Sequence, residues 1–113
     1  MDKLTQYRNV IKHLLAQYAD LLQHQPMPGV DTELVVDEEH DHYMLMNIGW
    51  WPHGRVRNPT VYVRLRNGKV WIEEDWLEEG ITPELLAAGV PQEDIVLGFQ
   101  PPEMRPLTGF AAA

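Results

Sequence analysis

Two acidic clusters and one basic cluster hold the side chains of this chain that are able to do chemistry. The first is the run DEEHDH at 37–42, where carboxylates and imidazoles of the kinds that ligate Mn, Zn or Fe stand together. Its spacing matches no such site: HExxH is absent, the glycine of a calcium loop is missing, and the chain has no cysteine to supply a thiolate. The second runs through Glu73, Glu74, Asp75, Glu78 and Glu79. Alternation along a strand puts Glu73 and Asp75 on one face, a pairing that glycosidases and metal-dependent nucleases use inside a cleft. No sequence feature marks a cleft, so both clusters read first as solvated turn and strand-end charges. A metal-dependent enzyme or nuclease accessory using Asp37, Asp41, His42 or the Glu73/Asp75 pair is the alternative.

Nucleophilic chemistry has little to draw on. The chain has no serine and no cysteine, and a threonine nucleophile relies on a free N-terminal amine that Met1 does not give it. No GxxxxGK[ST] or GxGxxG phosphate loop occurs. Catalytic residues, metal ligands and cofactors are therefore not expected.

The basic cluster comprises His53, Arg55, Arg57, Arg64 and Arg66. Arginine and tryptophan on one wet face are what binding hot spots are made of, and Trp71 falls opposite Arg64 in the hairpin described next. The residues assigned to a partner surface are Arg64, Arg66, Trp71, Trp76 and Arg105. The same cations could hold phosphates, which makes direct DNA binding through Arg55, Arg57, Arg64 and Arg66 a second alternative. The overall balance of 9 basic to 17 acidic residues, net −8, works against it.

These side chains need elements to position them. TVYVRLRNGKVWIEED (60–75) is two alternating runs meeting at Asn67-Gly68, the strongest short-range signal for a β-hairpin. A two-residue turn sets Arg66 against Lys69, Leu65 against Val70, Arg64 against Trp71, Val63 against Ile72 and Val61 against Glu74. One face, Val61, Val63, Leu65, Val70 and Ile72, belongs in a core. The other, Tyr62, Arg64, Arg66, Lys69, Trp71 and Glu73, can stay wet. Residues 2–24 predict a helix from Leu4, Tyr7, Ile11, Leu14, Tyr18 and Leu21, spaced by 3 and 4, with Asp2 at its N-terminus and the PMPG run at 26–29 as its stop. TELVVD (32–37) and HYMLMNIGWW (42–51) read as strands, PHGRVRNP (52–59) as a proline-bounded loop. Thr82-Pro83-Glu84 opens a short helix that Gly89 closes, Pro91–Asp94 is a further helical turn, and Ile95–Phe99 a short extended piece. The tail from Gln100, rich in proline, reads as irregular.

The predicted architecture is α+β: an antiparallel meander of about four strands on a long N-terminal helix, with short C-terminal helices, in one domain spanning 1–113. No apolar run approaches the ~20 residues of a membrane span and no signal peptide is visible, so a cytoplasmic protein is expected. The length of the helical stripe leaves room for contact with a second copy, and a homo-oligomer is expected.

Over essentially the whole chain these segments resemble the XisI family, the fdxN-element excision controlling factors of cyanobacteria. The resemblance rests on DKLTQYRNVIKHLLAQYA, DHYMLMNIGW, GKVWIEED and EEGITPELLAAGVPQEDIVLGFQPPEMRPLTGFA, in that order. Gln100 stands where the pattern has a His, and Leu107 where it has an aromatic. The resemblance implies a non-catalytic accessory role in programmed excision of a DNA element during heterocyst development, shared with a recombinase and an XisH-like companion factor.

Overall fold

The computed structural model describes residues 2–24 and 28–113. Helix α1 runs from Lys3 to His24. Asp2 caps it: its carboxylate accepts the Thr5 amide at 2.8 Å and its carbonyl accepts the Gln6 amide, which satisfies donors that the first turn leaves without partners. Tyr7, Ile11, Leu14, Leu15 and Ala19 are the buried stripe. Leu21, predicted to extend it, is 62% exposed. Of the predicted stop at 26–29, only Pro28 and Gly29, in a turn, fall among the described residues.

Strands β1 (Val30–Asp37), β2 (His42–Trp51), β3 (Gly54–Arg66) and β4 (Lys69–Asp75) form the predicted antiparallel meander. Asn67 and Gly68 both have positive φ, 54° and 75°, as the tight hairpin turn demands. Three features differ from the expectation. The sheet is mixed, because β5 (Ile95–Leu97) adds to β4 in parallel after α2 (Thr82–Ala87) and a 3-10 turn at Gln92–Asp94. Residues 54–59 are strand, not loop: Trp50 pairs with Arg55, Ile48 with Arg57 and Met46 with Pro59. Pro59 is accommodated beside a register shift that leaves Thr60 as the extra residue, a place where a strand tolerates a missing N–H. A second shift leaves Glu73 as a bulge, so Val61 faces Asp75 and Tyr62 faces Glu74; the expected pairing of Val61 with Glu74 is displaced by one residue.

The core lies between α1 and one face of the sheet. Ile11 and Leu15 pack there with Tyr43, Leu45, Val61, Val63, Val70, Ile72, Leu85 and Ile95. At the rim, Arg8 holds Asp41 with a two-pronged ion pair (2.7 and 3.1 Å), and Tyr43 donates to the same carboxylate. Thr82 is not the cap of α2; that place belongs to Ile81, whose amide donates to the Asp75 carboxylate at 2.8 Å. At its other end Gly89 and Val90 donate to the Leu86 and Leu85 carbonyls, the 5→2 and 6→1 bonds of a glycine stop. The tail is not wholly irregular. It makes a 3-10 turn at Arg105–Leu107, and the Ala111 amide donates to the Ile95 backbone carbonyl at 2.8 Å, bridging the tail to β5.

Candidate partner-binding surface

Even-numbered residues of β2 point away from α1, as the burial of Tyr43 and Leu45 on the helix side requires. Their cross-strand partners share that outer face. It carries Asp31, Glu33, Val35 and Asp37 on β1, His42, Met44, Met46, Ile48 and Trp50 on β2, and Arg55, Arg57, Tyr62, Arg64 and Arg66 on β3. No helix covers it. The tail crosses only its β4–β5 side, where Val96 is fully buried.

Under the tail lies Trp71, opposite Arg64 as predicted. It is not wet: only 5% of it is exposed. Three guanidinium groups surround its ring, those of Arg64, Arg66 and Arg105 at 5.8, 5.3 and 5.2 Å from the ring centre, within cation–π range. The indole N–H donates to the Arg66 carbonyl at 3.1 Å. Arg105 is fixed from the tail side by donating to the carbonyls of Gln100 and Gly98, at 3.1 and 3.3 Å. Gln100, which stands where the resemblance predicts a His, thus contributes its backbone. Leu107, the other departure, is 77% exposed.

One carboxylate answers the three cations: Glu73, 3.5 Å from Arg64. Glu73 stays on this outer side, and the bulge moves Asp75 to the inner side, opposite Val61, where it is bonded to the amides of Leu77 and Ile81. The carboxylate pair expected on one face is therefore split. Gly98 leaves the room Glu73 occupies, since a β-carbon there would lie 2.0 Å from its Oε1. The Nε of Arg64 is buried without a hydrogen-bond partner. The cluster keeps an excess of positive charge beside an apolar ring, a setting that favours an incoming carboxylate or other anion.

Trp76 stands apart from that cluster but adjoins it. It is 74% exposed, donates to Glu74 at 2.6 Å, and with Glu73, Asp75 and Phe99 lines a shallow hollow of about 450 Å³. Three of the five assigned residues thus converge on the ring of a fourth, Trp71, and the fifth, Trp76, borders the hollow that Glu73 also lines.

The acidic corner does not converge. Asp37 accepts the amides of Glu39 and His40 and pairs with the His40 ring, Asp41 is held by Arg8 and Tyr43, and His42 bonds the Tyr62 hydroxyl at 2.7 Å. Among the described residues no three His, Asp or Glu side chains are grouped as a metal site. The hydrogen bonds from Arg8 hold the Asp41 carboxyl below its ordinary value, against the effect of its burial. Nearby, in the first turns of α1, Asp94 accepts from Tyr7 and pairs with Lys3 at 2.7 Å. Burial pushes that carboxyl up, but Lys3 and Tyr7 outweigh it and hold it low.

Reading 52–59 as a loop left the placement of Arg55 and Arg57, already grouped with Arg64 and Arg66 in the basic cluster, open. On β3 the guanidiniums of Arg55 and Arg57 fall in line with Arg64 and Arg66, and Arg55 stacks on Trp50 at 5.5 Å. The alternation Arg55-Val56-Arg57 is the signal; the flanking prolines mask it.

Fold and surface define a two-layer α+β protein whose mixed sheet is open on one side and bears an arginine-rich, aromatic patch there. The chain belongs to the XisI family, whose model, described as XisI protein, matches residues 1–112. It is similar to two solved structures from Anabaena variabilis. One, the fdxN element excision controlling factor XisI, is 43% identical with a TM-score of 0.87, over 99% of this chain and 100% of that one. The other, a XisI-like protein, is 34% identical with a TM-score of 0.89, over 97% and 99%. No curated protein matches. No described helix is long and apolar enough to cross a membrane.

Proposed function

We propose that this protein is a non-catalytic, cytoplasmic accessory factor that controls excision of a DNA element in a cyanobacterial setting by contact with a protein partner, an XisH-like companion factor or the recombinase itself. The observation that carries the reading is the convergence of Arg64, Arg66 and Arg105 on Trp71 beside a hollow with two exposed aromatics, Trp76 and Phe99. Arginine and tryptophan at a preorganised, partly desolvated patch favour a protein contact, and the uncompensated charge favours an acidic one. Family membership, with a relative described as an excision controlling factor, supports a regulatory role.

Mixing the protein with the companion factor is expected to shift both to a common elution volume. Arg66→Glu, at an exposed position, is expected to abolish the shift without loss of folding. Normal co-elution of that variant removes this patch from the contact. The line of arginines on β3 favours a second reading, direct contact with DNA phosphates. It predicts a gel shift at low salt that weakens steeply as salt rises; no shift at low salt ends it.

A further inference from the structure

The outer face has a second half, over β1–β3, that the Trp71 cluster does not use. Its centre is apolar: Met44 and Met46 are half-buried, and Val35, Ile48 and Trp50 are 43%, 39% and 63% exposed. Its two borders carry opposite charge. Asp31 and Glu33 line the β1 side, Arg55 and Arg57 the β3 side. Asp31, Glu33 and Arg57 are exposed and make no ion pair among the described residues.

We infer that this half-face is where two copies of the chain pair, sheet against sheet, about a twofold axis running along β2. The argument is one of symmetry. A twofold along the strand direction lays β2 on its own image and β1 of each copy over β3 of the other. The register sets Asp31, Ile48 and Arg57 in one row across the three strands. The operation therefore stacks Ile48 on its counterpart and brings Asp31 of each copy opposite Arg57 of the other, giving two equivalent ion pairs around an apolar centre. That is the self-complementarity an isologous interface needs. Aligned sheets pack about 10 Å apart, within the combined reach of an aspartate and an arginine.

The rival arrangements are worse on charge. A twofold lying in the interface across the strands would put β1 over β1 and its carboxylates against their own images. Joining two β1 edges antiparallel into one continuous sheet fares no better. Opposed residues share a face, and Asp31, Glu33 and Asp37 occupy three of the four outer positions of β1. Every register overlapping more than half of the strand then opposes two carboxylates, which is destabilising.

The patch spans about 14 Å across three strands and about 30 Å along them. Its flat footprint of roughly 400 Å² is below the ~800 Å² per partner of a standard stable complex, even allowing for side-chain relief. The dimer is accordingly a reversible one, forming in the micromolar range. The same operation brings Asp37 of each copy opposite Arg64 of the other, in the row through His42, while Arg66, Trp71 and Arg105 stay outside the interface, so failure of the pairing would leave the partner contact of the previous section standing.

Sedimentation velocity across a concentration series tests it. The wild-type protein is expected to shift from monomer to dimer. Ile48→Glu is expected to abolish the dimer, and Asp31→Arg or Arg57→Asp alone to raise its dissociation constant roughly tenfold or more by setting like charges together. The decisive arm is the double exchange Asp31→Arg with Arg57→Asp, which restores the pairs in reverse and with them the dimer. Wild-type protein that stays monomeric throughout, a dimer indifferent to Ile48→Glu, or a double exchange no better than either single variant overturns the proposal. Circular dichroism of each variant, at surface positions, separates loss of pairing from loss of folding.

Discussion

Replacing Arg105 by alanine removes the side chain that ties the C-terminal tail to the Trp71 cluster. Its guanidinium donates to the Gln100 and Gly98 carbonyls and lies 5.2 Å from the ring centre. Hydrogen bonds involving a charged group contribute about 1.5–3 kcal/mol each when well formed. At 3.1 and 3.3 Å, on a partly exposed side chain, the low end applies and screening reduces it further. The ring contact adds about 0.5–1 kcal/mol. The total loss is then about 2–3 kcal/mol. At roughly 4 °C per kcal/mol for a domain of this size, Tm falls by about 8–12 °C if the tail unfolds with the rest. If the tail opens by itself, Tm moves less and two local probes report the change. The Ala111 amide, bonded to Ile95, loses protection from hydrogen exchange. Trp71 fluorescence shifts to the red, against a fixed background from Trp50, Trp51 and Trp76, which are already exposed. Arg105→Lys keeps the charge but not the planar two-pronged geometry, and is expected to recover less than half of the loss. A Tm within about 1 °C of wild type, together with unchanged Ala111 protection, would refute this account of how the tail is held.

Leu15→Ala removes a fully buried side chain from the centre of the α1 stripe and is expected to cost about 2–5 kcal/mol by denaturant unfolding. Acid stability is expected to depend on Asp41 and Asp94. Both have folded-state values held below the ordinary 3.8, so their contribution is complete above that value and is lost as pH falls through the lower folded one. Asp41→Asn and Asp94→Asn are therefore expected to lower stability at neutral pH and to flatten the decline below about pH 4, read from Tm against pH. Gly98→Ala drives a methyl into Glu73 and is expected to cost about 1–3 kcal/mol; Glu73→Ala in the same chain removes the clash and recovers part of it.

Much of the scaffold is legible in the residues themselves. Asn67-Gly68 has a steric reason to be a turn, and the alternation on either side has a core to fill, so four of the five predicted hairpin pairings near the turn stand. The fifth failed at Glu73 because a bulge leaves no composition signal. It takes one residue out of phase and separates Glu73 from Asp75, so the apparent catalytic pair is a product of ideal strand geometry. Residues 54–59 were unreadable as strand because Pro52 and Pro59 suppress the pattern; an N–H missing beside a bulge costs the ladder little. The parallel pairing of β5 depends on contacts across the chain that no local period encodes. At the surface, Arg64, Arg66 and Trp71 follow from the hairpin register. The burial of Trp71 does not, because what covers it is a tail some thirty residues later in sequence.

The central claim is that the arginine cluster over Trp71 receives a protein partner. Titration of the purified XisH-like companion into wild-type protein and into Arg66→Glu, by calorimetry at one fixed salt concentration, tests it most directly. The account predicts measurable binding to the wild type and a loss of about 2 kcal/mol or more in the variant, a reduction of at least roughly thirtyfold. Equal affinity for the two proteins would contradict it.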